Sequence, residues 1–498
     1  MQNLINCNYE HELAYCFHNI DNRGLLIDRE KKEHVRTQVQ KELDDKCSFL
    51  SNLWNMQVYV GRDNEPDDKT KSINLNSSKA LPEQLKALGY DIPKVRKRNE
   101  ETDEYEMKDS IGELALVKTL ADPNRWPNPQ AGDGIKALLE CKEIITFRNR
   151  YINARLHRDI YYSAHNVAAT VTGRRGSKKN IFGFGGNDQN FPSRGRLADL
   201  WKECVIARPG RIFLFVDQKS AEDWPVQALS NNSVALDEMR RGVNRHYKFA
   251  SEIFNIPVDT LKAIRTNKSG LYTPEQQLDA EMKYYMGKKG RHANNYGMQP
   301  PRFSESLAAE GGFTVPVDSC KHILNVIDRL DPNVKRVFHK YVQEELSKPT
   351  HMLRTPLGRE RQFLGLRSGE KNYATFNEAY SYIPQSTVGD NTGLAVRYLE
   401  ALYSYVVQDG HDSIVQEFPD MESEVRRVYT STDEAFNRDI TFHNGVVVHI
   451  PIEGAFGYDW KHKVTFENYN EDEMIKAYRE CKEKYGTQQV SEVSVGNC

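Results

Sequence analysis

Three acidic residues follow an apolar stretch near the middle of the chain. The run RIFLF, which begins at Arg211 after a Pro-Gly pair, predicts a buried strand that ends on Asp217. Glu222 and Asp223 come next, and a helical pattern resumes beyond Pro225. A carboxylate at the end of a strand can cap a following helix, or it can bind a ligand at the edge of a sheet. This stretch alone leaves both interpretations open.

A second acid, Asp412, lies in the segment VVQDGHDSIVQEF (406–418). Gly410 and His411 form a predicted turn between two β-prone runs, and Asp412 begins the second run. Carboxylates at the ends of neighbouring strands would lie about 5 Å apart at their backbones. Such a pair can bind two Mg²⁺ ions, which prefer carboxylate oxygens and bridge to phosphate. The alternative is an aspartate in an ordinary turn, because His-Asp is a common dipeptide.

The elements that position these acids alternate between helical and mixed segments. Residues 1–160 are predicted to be mostly helical, with long helices at 30–53 and 131–152 and a polar, mobile loop at 96–109. Glycine-rich turns and the apolar strand follow in residues 160–230. Residues 1–230 therefore contribute the apolar strand that ends on Asp217 to the predicted sheet.

The second half repeats the alternation. Residues 233–350 are predicted to be helical, and strand-like runs return at 413–418 and 445–452. The order predicts an α+β fold in which one sheet-bearing domain is assembled from separated segments, with helical domains inserted.

Composition and charge narrow the class of protein. The chain has 498 residues, of which 39% are hydrophobic and 28% are charged, as expected for a globular protein. No stretch has the length of a membrane span, and the eight cysteines form no CxxC pair that would indicate zinc or a disulfide framework. We therefore expect a cytoplasmic protein. The formal net charge is -2, but TGRRGSKKN (172–180) and GKKGRH (287–292) are locally basic.

Several motifs occur in a fixed order along the chain, namely NRGLLID (22–28), INLNSSKALPEQLKALG (73–89), TGRRGS…DQNFP (172–192), VDQKSAE (216–222), GKKGRHANNYGM (287–298), NEAYSYIPQSTVGD (377–390) and HDS (411–413). In this order they resemble the motifs of the family A DNA polymerases, the group of bacterial DNA polymerase I and many phage replicative enzymes. The likeness extends from about residue 10 to residue 465.

The resemblance implies a right-hand architecture, with an antiparallel-sheet palm and helical fingers and thumb. It places the thumb at 1–160, the first part of the palm at 161–232, the fingers at 233–350 and the second part of the palm at 351–498. It implies template-directed addition of dNTPs to a primer 3′-hydroxyl, in a phage or phage-like enzyme that binds primer-template DNA.

The resemblance also implies roles for single residues. Asp217 and Asp412 would be the catalytic acids that bind two Mg²⁺ ions, with Mn²⁺ as a substitute, and the backbone carbonyl of Gln218 would be a further ligand. Ser413 stands where the family has the glutamate of H-D-E, so an auxiliary carboxylate is missing there. Glu222 would exclude the ribose 2′-hydroxyl, although an acid in a first helical turn is the plain alternative.

Lys288, His292 and Tyr296 are spaced four residues apart and share one helix face. Aligning Asn-Tyr-Gly with the family's N-F-G, which we favour, places Lys288 at the Arg position and His292 at the Lys position of the triphosphate-binding helix. Aligning Tyr-Gly-Met with a later Y-G-M places Lys288 at the Lys position. In the first register, part of the attraction for phosphate would pass to Lys289 or Arg291.

Four further residues complete the implied site. His246 would also bind the nucleotide's phosphates. Arg174 would contact the minor groove at the primer terminus, Gln385 would do so on the template side, and His411 would also bind DNA. The basic segment 174–179 is expected to contact DNA phosphates.

The thumb-like segment begins near residue 10, so we expect no intrinsic 3′–5′ exonuclease. A separate exonuclease, a helicase-primase or a single-strand binding protein would then be partners, and no membrane partner is expected. Three alternatives to a DNA polymerase stay open. Two are a single-subunit RNA polymerase, which Glu222 disfavours, and a non-catalytic DNA-binding relative, which both acids disfavour. The third is a metal-dependent nuclease, which would share the acids but not the nucleotide-binding helix.

Overall fold

The computed structural model describes residues 4–5, 7–61, 66, 68, 71–98, 105–364 and 373–486. Over these residues the fold is mixed, with long helices and mainly antiparallel sheets, as the alternation of segments predicts. No helix in the described ranges has the length and apolar character needed to cross a membrane.

The helices of the described residues fall into an N-terminal group, a central group and a C-terminal group. They are α1 (Cys7–Arg23), α2 (Arg29–Trp54), α3 (Ala80–Ala87), α4 (Glu113–Ala121), α5 (Ala131–Phe147), α6 (Arg196–Cys204), α7 (Asp223–Leu229), α8 (Ser233–Arg240), α9 (Arg245–Phe254), α10 (Val258–Thr266), α11 (Pro274–Asn295), α12 (Pro300–Gly311), α13 (Val317–Leu330), α14 (Lys340–Ser347), α15 (Tyr373–Leu402), α16 (Glu422–Phe436) and α17 (Glu471–Tyr485).

The strands are short except where they build the central sheet. They are β1 (Leu25–Ile27), β2 (Gln57–Tyr59), β3 (Ser72–Asn74), β4 (Lys94–Arg98), β5 (Tyr105–Asp109), β6 (Ile160–Tyr161), β7 (Ala164–Asn166), β8 (Gly176–Lys178), β9 (Val205–Ile206), β10 (Arg211–Gln218), β11 (Met352–Arg354), β12 (Glu360–Gln362), β13 (Val406–Asp409), β14 (Ser413–Pro419), β15 (Ile440–Thr441), β16 (Val447–Val448), β17 (Ile452–Gly457) and β18 (Lys463–Phe466).

Both long helices expected in the N-terminal region are present as α2 and α5, and a π-helical turn continues α5 to Ile152. The expectation of a loop at 96–109 is wrong for residues 96–98 and 105–109, because β4 and β5 form an antiparallel pair there. The register places Lys94 opposite Asp109, and opposite charges directly across a ladder stabilise strand pairing. Residues 99–104, between the two strands, lie outside the described ranges.

A five-stranded antiparallel sheet in the order β13-β14-β10-β17-β18 forms the centre of the fold. Its strands come from parts of the chain about 200 residues apart, as the sequence predicts. Side chains on β10 alternate between the two faces. Ile212 and Leu214 pack into a core that includes α1 and α15, whereas Phe213 packs into the core of the N-terminal helices. Because both faces are covered, ligands can reach this sheet only at its ends.

The central helical group has a core of its own. Phe249 of α9, Phe303 of α12 and Ile327 of α13 are buried together with residues of α11. Gly290 lets α11 approach α13 closely, since a Cβ there would lie 2.5 Å from the Cδ1 atom of Ile327. This packing fixes the exposed face of α11 relative to its neighbours.

Candidate active site

The two predicted acids lie side by side at one end of the central sheet. Asp217 is the penultimate residue of β10 and pairs with Ser413, so Asp412 lies directly beyond the last pair. The backbone N–H of Gln218 donates to the carbonyl of Asp412 at 3.0 Å. Helix α7 begins only at Asp223, so Asp217 does not act as its cap.

Gln218 fastens this end of the sheet to α15. Its side chain is buried, donates to the Thr392 hydroxyl at 2.7 Å and accepts from the Asn391 amide at 2.7 Å. Thr392 in turn donates to the carbonyl of His411 at 2.8 Å. The strand end and the turn that carry the acids are therefore held by the same helix.

The acids sit in a region of excess negative charge. Asp217 is exposed, yet desolvation by the surrounding protein and the charges of Asp412 and Glu453 raise its pKa to about 7, with Lys288 opposing them. Burial raises the pKa of Asp412 as well. Two carboxylates that resist ionisation together form a place where a cation is favoured.

The donor set suits Mg²⁺. Across the described ranges, no group of three or more His, Cys, Asp or Glu side chains forms a preformed metal cage. Mg²⁺ is typically bound through one or two carboxylates and completes its shell with water and substrate phosphates. Glu453, which the sequence analysis missed, pairs with Asp217 from β17 and lies 3.6 Å from Lys219. No motif marks it, because only the strand register places it there.

Both carboxylate oxygens of Glu222 accept hydrogen bonds from other side chains. One accepts from the Arg174 guanidinium and the other from the Tyr296 hydroxyl. Glu222 stands at the N-cap of α7 but makes no capping hydrogen bond. Its contacts are thus those of a group positioned by two other side chains.

Lys288 on α11 lies near Asp217 and Asp412, whereas His292 and Tyr296 lie against Glu222. Tyr296 follows the last helical residue and is buried, and the His292 ring meets its ring edge to face at 4.7 Å between centroids. His292 Nδ1 lies 3.8 Å from Glu222, and desolvation lowers the pKa of His292. Burial also lowers the pKa of Lys288, while Asp217 and Asp412 oppose that effect.

Two other cations of α11 are committed elsewhere. Arg291 is buried and forms an ion pair with Asp223, and its guanidinium lies 3.2 Å from His246. Lys289 pairs with Glu310. The expectation that Arg291 attracts phosphate is therefore wrong, because its charge is neutralised inside the fold. Burial and the nearby Arg291 lower the pKa of His246 to about 3, so this ring is a neutral group at the start of α9.

Arg175 corrects the expectation that the whole segment 174–179 contacts DNA phosphates. Only 1% of Arg175 is exposed, and its guanidinium donates to both Asp409 oxygens, at 2.6 and 2.8 Å. Its third bond, of 2.8 Å, goes to the carbonyl of Gly389 on α15. Asp409 ends β13, two residues before His411, which has a positive φ of 79° in the turn that carries Asp412. This buried pair thus joins three elements behind the acids.

Gln385 lies on α15, half-buried and one helical turn before Gly389. Residues four apart share a helix face, so Gln385 is on the side of α15 that meets the Arg175 segment. The structure thus brings the predicted acids, Glu222, Arg174 and the α11 residues together and places Gln385 on the adjoining helix.

No protein-family profile matches the chain. The chain is similar to a DNA polymerase of Mycobacterium phage D29, with 21% identity over 421 residues, which cover 82% of this chain and 57% of that protein. The chain therefore spans little more than half the length of this relative.

A solved structure shares the fold. It is described as the POL domain of Pol1 from M. smegmatis in complex with DNA primer-template and dNTP. The match has a TM-score of 0.68 at 16% sequence identity and covers 91% of this chain and 70% of that chain. The polymerase-domain fold that the motifs imply is thereby confirmed.

Proposed function

We propose that the chain is a template-directed DNA polymerase that adds dNTPs to a primer 3′-hydroxyl by phosphoryl transfer with two Mg²⁺ ions. The observation that carries the proposal is the placement of Asp217 and Asp412 on adjacent strand ends, with Lys288 of α11 near them. In this assignment residues 1–160 are the thumb, 161–232 and 351–498 the palm, and 233–350 the fingers.

Asp217, Asp412 and the backbone carbonyl of Gln218 would hold the metal ions. Bound Mg²⁺ would lower the pKa of the primer hydroxyl and offset charge on the triphosphate. The residues of this chain keep the two acids adjacent, since the Gln218 amide and α15 fasten both strand ends. Burial and the charges of Asp412 and Glu453 raise the pKa of Asp217, and a bound cation would offset the repulsion between these charges.

The facing helix would receive the incoming nucleotide. Lys288 contributes a cation near the acids, and His246 contributes a neutral ring that can donate to a phosphate oxygen. In the first register the His292 ring would do so as well. Glu222 would stand where a ribose 2′-hydroxyl would project, because Arg174 and Tyr296 hold its carboxylate. Arg174 and Gln385 would contact minor-groove acceptors, which all correct base pairs share.

The contact between Tyr296 and Glu222 bears on the two registers of α11. A hydroxyl that already donates to Glu222 is not free to replace a missing 3′-hydroxyl of the nucleotide. This contact supports the second register, in which Lys288 takes the family's Lys position. The first register requires Glu222 to release the hydroxyl when a nucleotide binds.

The test is primer extension with purified protein, with dNTPs or NTPs and with or without Mg²⁺. We expect extension that needs both dNTPs and Mg²⁺, and its loss in Asp217→Asn and Asp412→Asn. Asp199→Asn, which alters an exposed aspartate on α6, is the matched control and should extend normally. Extension at the normal rate by either site variant would contradict the two-metal assignment, provided that primer-template binding is equal.

The same assay separates the alternatives. A single-subunit RNA polymerase would use NTPs at least as well as dNTPs, and a non-catalytic relative would bind primer-template DNA without extending it. A primer with a mismatched 3′ end tests the expectation that the chain does not trim DNA. Trimming that persists in Asp217→Asn would overturn that expectation.

A further inference from the structure

The loop that follows strand β8 presents two adjacent apolar side chains to solvent. Ile181 is 91% exposed and Phe182 is 69% exposed. Lys178 and Lys179, which precede them, are exposed as well. Single exposed apolar residues are common on protein surfaces, but two neighbours at the tip of one loop, next to two cations, call for a partner.

This tip is an ordered turn. The Asn180 side-chain oxygen accepts from the backbone N–H groups of Phe182 and Phe184 at 3.1 and 2.9 Å, and the Asn180 N–H donates to the carbonyl of Phe184 at 3.0 Å. Gly185 donates to the carbonyl of Arg155 at 2.7 Å and has a φ of 68°. A Cβ at Gly185 would lie 1.7 Å from the carbonyl oxygen of Tyr162, so the anchor requires glycine.

Phe184 forms the base of the tip and points inward. Its ring lies 4.9 Å from the Arg155 guanidinium and 5.4 Å from the His157 ring. The turn buries Phe184 in part. Its hydrogen bonds fix the outward direction of Ile181 and Phe182. Apolar groups held in place before binding lose little conformational entropy when a partner covers them.

The surroundings of the tip select a polyanion. Arg155 is exposed and its guanidinium lies over the Phe184 ring, so that Arg155, Lys178 and Lys179 all lie close to the apolar tip. Ile and Phe are among the side chains that enter the minor groove of duplex DNA, while neighbouring lysines and arginines contact phosphates. The tip combines both kinds of group.

The position along the chain selects the part of the DNA. Ile181 is seven residues from Arg174, so the tip lies at most about 25 Å from the residue that we place at the primer terminus. This reach corresponds to at most about seven base pairs of duplex. Arg174 itself is assigned to the minor groove, and the segment that leaves it can follow the same groove.

We propose that Ile181 and Phe182 form a second DNA contact in the minor groove of the primer-template duplex, upstream of the primer terminus, with Lys178 and Lys179 at the adjacent phosphates. The proposal rests on the proposed function and adds to it a site that reads no sequence. Its role is to hold the duplex while the primer end is extended.

The test is the fluorescence anisotropy of labelled DNA titrated with protein at several salt concentrations. Two DNAs are compared, a primer-template with a duplex of about 15 base pairs and the single-stranded template alone. Ile181→Ser/Phe182→Ser is expected to bind the duplex about tenfold more weakly, with an unchanged salt slope and little change for the single strand. Leu271→Ser, which replaces another exposed apolar residue at 80% exposure, is the matched control and should bind as the unaltered protein does.

Lys178→Ala/Lys179→Ala should instead lower the salt slope by about 1–2. Equal loss on duplex and single strand, or no loss on the duplex, would overturn the proposal. Single-nucleotide addition by the unaltered protein at saturating DNA is measured in parallel. Absence of addition would refute the proposed function, whereas the comparison of duplex with single strand would still decide whether the tip binds DNA.

Discussion

Replacement of Arg175 tests whether the buried ion pair behind the acids positions the site or only stabilises the fold. Arg175→Met leaves Asp409, which is 0% exposed, without its cation. Removing one partner of a buried pair typically costs about 3–5 kcal/mol, because the remaining charge is uncompensated. We expect the free energy of unfolding in urea to fall by that amount.

The double variant Arg175→Met/Asp409→Leu removes both charges. Apolar pairs of similar volume often match a buried ion pair in stability, so most of the loss should be recovered. About 1 kcal/mol of stability is expected to stay lost for each of two hydrogen bonds. One runs from Arg175 to the carbonyl of Gly389, at 2.8 Å, and the other from Gln189 to Asp409, at 3.1 Å. An apolar pair has no directional contact to hold the turn that carries Asp412.

The kinetic measurement is single-turnover primer extension at saturating DNA, dNTP and Mg²⁺. We expect the double variant to fold but to extend the primer at least about tenfold more slowly than the unaltered protein. The reason is that a small displacement of a group at the reacting centre is costly in rate. Normal stability of Arg175→Met would refute the buried-charge argument. A normal rate in the stable double variant would show that the pair supports the fold and does not position Asp412.

The pH dependence of the same pair has a definite sign. Burial alone would raise the pKa of Asp409, but the charge and hydrogen bonds of Arg175 hold that pKa below its ordinary value. A lowered carboxyl pKa stabilises the fold above the unfolded pKa of about 3.9, and this stabilisation is lost as the pH falls through the folded pKa. The difference in unfolding free energy between the unaltered protein and Arg175→Met should therefore narrow on acidification. The narrowing begins above the unfolded pKa, because burial alone would raise the pKa of Asp409 in the variant, and it continues as the pH falls toward the folded pKa of the unaltered protein. A constant difference would mean that Asp409 does not carry the effect.

Three further substitutions give separate tests. Glu222→Ala should raise NTP use relative to dNTP use by about a hundredfold or more in competition assays, and an unchanged ratio would remove Glu222 from sugar selection. In the first register of α11, the unaltered protein accepts dideoxynucleotides readily and Tyr296→Phe discriminates against them, by about 1–3 kcal/mol for an unpaired polar group. Equal chain termination by the two proteins at matched ddNTP and dNTP would exclude that register. Lys463 lies 3.2 Å from the centroid of the Phe215 ring, and burial lowers its pKa to about 7. Lysine in the unfolded chain keeps its proton to about pH 10, so the stability of the unaltered protein should rise from about pH 7 to about pH 10. Lys463→Met should add about 1–3 kcal/mol to the free energy of unfolding near pH 7, and this gain should shrink toward about pH 10. A urea midpoint that is independent of pH over this range would contradict the shift.

The sequence predicted the parts of the fold that depend on local pattern. The apolar run before Asp217, the long helices α2 and α5 and the second strand after His411 follow from the period of their side chains. The hairpin of β4 and β5 was missed because a polar, charged ribbon has no apolar period. Its pairing depends on a partner strand that composition does not reveal.

The candidate site likewise contains residues that the sequence predicts and residues that only the structure shows. Asp217 and Asp412 could be found because each ends or begins a β-prone run, and motif order joins them. Glu453 could not, because only the strand register places it opposite Asp217. Arg175 was misjudged because a run of cations indicates charge but does not show which of them finds a buried carboxylate.

Residues 172–186 show why adjacent, chemically similar residues can do different work. Arg174 and Arg175 are neighbours in sequence, yet Arg174 binds Glu222 at the candidate site, whereas Arg175 binds Asp409 in the interior. In extended backbone successive side chains point to opposite sides, so one basic dipeptide can reach both. The same segment then continues to the apolar tip. A single length of chain thereby links the group proposed to select the sugar, the turn that carries a proposed metal-binding acid and the proposed contact with the duplex.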